Sequence, residues 1–184
     1  NVSAQQDPGN PNSFYFFTSN ASSGSNYGLE IESTNLFFNN RIKLSTSIGY
    51  LNTWVDEYEF YTSETEKETR GDRELAQAPN FSGSIGIDFS PNDALTIGVK
   101  SSFKDSYFFS DSYDLKTDPY QLINLSLHYK FNSGLISAFV NNIADIRYPV
   151  RGFYFGLVPP NYEDDLYIQW GSPIHYGFSI RYDI

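Results

Sequence analysis

The chain has 184 residues, 40% of them hydrophobic and 18% aromatic, with 22 acids against 12 bases, a formal charge of −10 and no cysteine. One domain is the default at that length, while the missing thiols exclude disulfides, thiol catalysis and cysteine metal sites. The negative charge argues against nucleic acid, which needs a basic surface, and no run of about 18 apolar residues exists to form a membrane helix.

Alternation of period two dominates from there, and side chains two apart share one face of a strand. A strand within residues 12–18 is the weakest of the set. Tyr27, Leu29 and Ile31 then alternate with Gly28, Glu30 and Glu32. Ile42, Leu44, Ile48 and Tyr50 alternate with Lys43, Ser45, Ser47 and Gly49. Phe81, Ile85, Ile87 and Phe89 alternate with Ser82, Ser84, Gly86 and Asp88. Leu95, Ile97, Val99 and Phe103 alternate with Thr96, Gly98, Lys100 and Lys104. Ile123, Leu125, Leu127 and Tyr129 alternate with Asn124, Ser126, His128 and Lys130. Residues 135–142 are apolar on both faces, which leaves their register open. The last strand, residues 173–184, puts Tyr176, Phe178, Ile180, Tyr182 and Ile184 on one face and His175, Gly177, Ser179, Arg181 and Asp183 on the other. No segment has a helical period.

One face of each strand is thus apolar and the other small or charged, as in a wall between lipid and water. Strands of about 9–12 residues fit a tilted crossing of a bilayer. The connections alternate in length. Residues 34–41, 90–94 and 131–134 are short and rich in turn formers. Residues 56–78, 104–119 and 143–172 are long and hold most of the acids, eight of them within 56–74. This parity predicts an all-β, antiparallel transmembrane β-barrel with short periplasmic turns, long extracellular loops and its C-terminus on the periplasmic side. Tyr50, Trp54, Tyr58, Phe60 and Tyr61 at one loop, and Phe103, Tyr107, Phe108 and Phe109 at another, are expected to form an interfacial girdle.

Several local patterns, in order, resemble one family. These are Asn26-Tyr27-Gly28-Leu29-Glu30-Ile31-Glu32; Arg73-Glu74-Leu75 running to Ala78-Pro79-Asn80-Phe81; residues 120–129; Val140-Asn141-Asn142 running through Asp145 to Tyr148; and Gly171-Ser172-Pro173 running to Tyr176-Gly177. Together they resemble the C-terminal barrel portion of a TonB-dependent outer-membrane receptor. The resemblance implies about eight strands of a barrel of about 22, a single segment over residues 1–184 without the family's plug domain. The chain begins at Asn1 rather than Met and shows no signal peptide, as a processed or partial chain would. The family usually carries Arg where Ile174 or His175 stands, and it ends in Phe where this chain has Ile184.

The same resemblance implies a cell outer-membrane location in a Gram-negative bacterium and uptake of a scarce ligand such as a ferric siderophore. Its expected partners are outer-membrane lipid and lipopolysaccharide, the barrel-assembly machinery reading the C-terminal signal, and the TonB complex through an absent N-terminal region. Two other readings compete. One is a complete eight-stranded barrel acting as a structural protein, adhesin or small pore. The other is a soluble, carbohydrate-binding β-sandwich. Terminal apolar strand and loop parity favour the receptor.

No catalytic constellation, cofactor or metal site is expected. His128 and His175 lie on the polar faces of separate strands. The 152–156 segment lacks the lysine of a phosphate loop, and the acids of 56–74 and 161–165 have calcium-type oxygens without EF-hand spacing. The ligand-binding candidates are Arg147, Arg151, Tyr154, Tyr162 and Trp170, because Arg forks onto carboxylate or catecholate oxygens and aromatics supply flat contact.

Overall fold

The structure, a computed structural model, describes residues 2–7, 10–18, 23–61, 67–156, 158–160 and 163–182, with only the backbone of residues 2–18, 60 and 61. Its centre is a seven-stranded antiparallel sheet of β3 (Gly24–Phe37), β4 (Ile42–Val55), β7 (Phe81–Phe89), β8 (Leu95–Lys104), β9 (Tyr120–Phe131), β10 (Gly134–Asn141) and β13 (His175–Tyr182), in the spatial order β13-β10-β9-β8-β7-β4-β3. Each strand pairs with its sequence neighbour within the sheet, so the chain meanders. Three separate hairpins join β1 (Val2–Asp7) to β2 (Asn10–Thr18), β5 (Tyr58–Tyr61) to β6 (Lys67–Arg70), and β11 (Pro149–Phe155) to β12 (Asp165–Trp170).

The expected strands are present, with three corrections. β3 runs on to Phe37, so the turn is 38–41 and not 34–41. The strand expected in 12–18 is β2, and it pairs with β1 rather than joining the sheet. The last strand spans His175–Tyr182; Asp183 and Ile184 lie outside the described residues. Neighbours also settle the register of β10. Ile136, Ala138 and Val140 lie opposite Tyr129, Leu127 and Leu125 on one side and Ile180, Phe178 and Tyr176 on the other. This leaves Leu135 and Phe139 on the polar face, where Phe139 covers the space a side chain at Gly177 would need.

The apolar face is open. Phe178 is 78% exposed and Tyr176 81%, and Leu29, Ile31, Ile85, Ile87, Ile97, Val99 and Leu127 are exposed beside them. A contiguous apolar surface across seven strands far exceeds what a monomer shows to water, and it has the pattern of the outward apolar band of a barrel wall. Rings border it in two rows. Tyr50, Phe81, Phe103 and Tyr176 stand toward the long connections, with Tyr50 and Phe81 at 5.0 Å. Phe37, Phe89, Tyr129, Phe131 and Tyr182 stand toward the short turns.

The short turns follow their chemistry. Asn92 Oδ1 accepts from the N–H groups of Ala94 and Leu95, both at 2.9 Å, and Arg41 reaches Asp93 at 2.9 Å from the neighbouring turn. Asn39 and Asn40 tolerate their positive φ, but Phe38 at φ 52 is an unusual occupant of that region.

Candidate functional site

The polar face forms a shallow concavity of about 590 Å³ lined by Glu32, Ser47, Asp88, Lys100, Asn124 and Phe139 among others. Small side chains keep it open. Lys43 and Asp88 form a loose pair at 3.8 Å. His128 hydrogen-bonds Ser137 at 2.9 Å, and His175 meets Asn141 at 3.1 Å. Each histidine thus belongs to a polar strand pair, and among the described residues no group of three or more His, Asp or Glu could hold a metal.

Above this wall the three long connections dock on one another. In the first, residues 56–80, Gly71 has φ 96, and a Cβ there would lie 2.3 Å from the Asp56 carbonyl oxygen. Thr53, which is 2% exposed, accepts from the Leu75 N–H at 3.0 Å. Arg73 then crosses to the second connection, residues 105–119. It pairs with Asp114 at 2.9 Å, donates to the Tyr113 carbonyl at 2.9 Å, and lies 3.7 Å from the centre of the Phe108 ring. Glu74 accepts from Lys116 and from Asn80, each at 2.8 Å. Those two hydrogen bonds, the Lys116 one foremost, hold its carboxyl below the usual range.

The girdle expected at Tyr107, Phe108 and Phe109 is therefore corrected. Tyr107 and Phe109 are 3% and 4% exposed and form the core between the loops, and Phe108 lies under Arg73 and Lys116. Three rings in a row with no period gave no way to tell packing from anchoring. Tyr50, Trp54 and Phe103 do stand on the apolar face. The side chains of Phe60 and Tyr61 lie outside the described residues.

The third connection, residues 142–174, opens on a knot at Asn142, which is 3% exposed with φ 51. Its Nδ2 donates to the carbonyls of Ile146 and Ser172, its Oδ1 accepts from the Ile146 N–H, and its own N–H donates to Asn124. Asp145 accepts from the Ile174 N–H at 2.8 Å. The Gly171 N–H donates to the Tyr148 carbonyl at 2.8 Å, so Asn142, Asp145 and Tyr148 together close the base of the loop. From that base rises the β11–β12 hairpin. Its Gly152, Tyr154, Leu166 and Ile168 share one face. Phe109 fills the space beside Gly152, Tyr113 stacks on Tyr154 at 3.7 Å, and Tyr113 donates to Asp164. Hydrogen bonding to that carboxylate, then burial, pushes the Tyr113 phenol up to about 12.

The four candidate residues that the structure describes do not converge. Arg147 lies over Trp170 at 4.0 Å, and both line a cavity of about 640 Å³ at the hairpin's base with Phe109, Leu115, Pro149 and Ile168. Tyr154 is on the docked face. Arg151 is on the opposite, open face. Tyr162 lies outside the described residues. That open face holds what the sequence reading missed. Phe153 and Tyr167 are stacked at 5.8 Å, and Phe155 stands edge-on to Tyr167 at 6.4 Å. The signal was the alternation in 149–155 around Gly152, visible once that stretch is read as a strand.

Two comparisons bear on this architecture. Residues 1–143 match the family described as TonB dependent receptor-like, beta-barrel. Among solved structures, the siderophore receptor PiuA from Acinetobacter baumannii is similar at 12% identity and a TM-score of 0.70, over 85% of this chain and 21% of that one. The ferric yersiniabactin uptake receptor FyuA from Yersinia pestis is similar at 16% identity and 0.72, over 90% of this chain and 24% of that one. At these identities the likeness is one of fold, and the chain spans about a quarter or less of either receptor.

Proposed function

Because the chain belongs to the TonB-dependent receptor-like β-barrel family, we propose that it is the barrel part of an outer-membrane receptor that takes up a scarce ligand, most suitably an iron–siderophore complex. Members of this family are outer-membrane transport receptors rather than enzymes. The observation that carries the reading is the pairing of an open apolar face with a small-residue polar face across seven meandering strands, crowned on one side by docked loops. A packed small barrel needs bulkier inward residues, and a soluble sandwich buries the face that is bare here. In this reading the wall lines a lumen, the loops meet the ligand through Arg147, Arg151, Tyr154, Tyr162 or Trp170, and energy arrives from TonB.

The test is uptake of radioactive iron by source cells grown under iron limitation, with the gene for this chain deleted and then restored. Loss on deletion, recovery on restoration and abolition by a protonophore support the reading. Unchanged uptake of every ferric chelate offered would reject it.

A further inference from the structure

The β11–β12 hairpin has one covered face and one bare one, and the bare face sets stacked rings beside an arginine. Three cross-strand pairs build it: Arg151 opposite Gln169, Phe153 opposite Tyr167, and Phe155 opposite Asp165. Phe153 is 52% exposed, Phe155 43% and Tyr167 40%. The Phe153 and Tyr167 ring planes lie within 21° of parallel. Arg151 is exposed and has no hydrogen-bond or ion-pair partner among the described residues, although acids outnumber bases 22 to 12.

We propose that this face is a platform for a small ligand that carries an aromatic ring and anionic oxygens. This rests on the receptor reading and narrows its substrate class to an aryl chelate of iron. The rings offer flat faces on which an aryl group stacks. The Arg151 guanidinium offers a planar fork to adjacent oxygens of a catecholate, salicylate or carboxylate. The Tyr167 hydroxyl and Gln169 give polar contacts beside it. Asp165, at the far end, repels a second anionic group and so fixes which way the ligand lies. Size excludes a folded protein as the occupant: two strands by five residues is roughly 10 by 15 Å, well short of the ~800 Å² per partner of a stable interface.

The test uses the native polypeptide purified from source outer membranes, with ferric 2,3-dihydroxybenzoate and ferric citrate as probes of the ringed and ringless classes. Binding is read by calorimetry, and folding of each variant by its heat-dependent gel migration. The expected result is tighter binding of the ringed chelate, weakened about ten-fold by Phe153→Ala, Tyr167→Ala or Arg151→Gln and retained in Tyr167→Phe. Should Phe153→Ala fail to fold, Phe153→Leu keeps the apolar bulk and removes the ring. Citrate bound as tightly as the ringed chelate, or ringed binding untouched by these variants, would overturn the platform and leave the receptor reading standing. Binding of neither chelate would also overturn the platform, and iron uptake unaffected by deletion would remove the receptor reading with it.

Discussion

Arg73 and Asp114 stand 41 residues apart in sequence and meet at 2.9 Å, yet their surroundings are opposite: the Arg73 side chain is 16% exposed and that of Asp114 is 99%. The arginine is therefore held by more than the ion pair, through the Tyr113 carbonyl and the face of Phe108. Removing either partner has unequal consequences. Asp114→Asn should cost no more than about 1 kcal/mol, the range of an exposed pair. Arg73→Gln should cost about 1.5–3 kcal/mol of local stability, because charge-assisted hydrogen bonds are lost in a sheltered place. Arg73→Lys should recover only part, lacking the planar fork. Hydrogen exchange of the 71–80 amides separates the three.

Asn142 makes a second prediction. Asn142→Ala strips three side-chain hydrogen bonds from a buried base and puts a residue with no αL preference at φ 51. A loss of about 2–4 kcal/mol is expected, read as faster cleavage of the 142–174 loop by added protease while the strands stay protected.

Acid should loosen the first two loops before the wall. The Glu74 pKa is lowered in the folded state, so its pairing with Lys116 stabilises the protein above the ordinary carboxyl value of 4.5 and is lost as the pH falls through the depressed value. Hydrogen exchange of residues 105–119 should rise as the pH falls below that ordinary value of 4.5 and on through the depressed one, and Glu74→Gln should abolish that acid dependence.

Tyr113 gives the alkaline counterpart. Its raised pKa means that the bond to Asp164 stabilises the fold fully below the ordinary phenol value of 10.0 and is lost as the pH rises through about 12. Ultraviolet titration of phenolate should show one group near that value that disappears in Tyr113→Phe and moves back toward 10 in Asp164→Asn.

The two faces of the wall should answer differently to charge. Phe178→Lys places an ammonium in hydrocarbon and should destabilise by about 2–4 kcal/mol, whereas Ser179→Lys, on the polar face, should cost little. Unfolding of the purified protein in denaturant with lipid present measures both. A larger cost for Ser179→Lys would mean that the face assignment is reversed, and equal costs that the two faces do not differ in surroundings.

The wall was legible in the sequence because an apolar environment on one face leaves a period of two, and Phe81–Phe89 and Leu95–Lys104 keep that period with a single small residue, Gly83 or Ser101, on the apolar face of each. Residues 135–142 were illegible alone, since Leu135 and Phe139 are apolar yet turned toward the lumen; only the partners in β9 and β13 decide them. The loops were harder. Arg151 and Tyr154 look like neighbours in sequence, but a strand sends residues three apart to opposite faces, and nothing short of the hairpin's pairing reveals that one is docked and the other bare. Packing among loops from distant strands leaves no local period, which is why Arg73 and Tyr113 carried no signal as a pair of anchors.

The two rows of rings bordering the apolar face are not level with the strand pairing, and their slope measures the lean of the wall. Following partners sideways from Tyr176 leads through Val140, Leu125 and Val99 to Ile87, six residues along from Phe81. In the other row, the same walk from Phe89 ends at Phe178, four residues short of Tyr182. Rings that share a membrane plane thus step four to six residues, ~14–20 Å, over four strand spacings of ~4.8 Å, an inclination of about 35–47°. Leaning strands take up more perimeter than upright ones: the seven here cover about 45 Å of arc where vertical strands would cover about 34 Å.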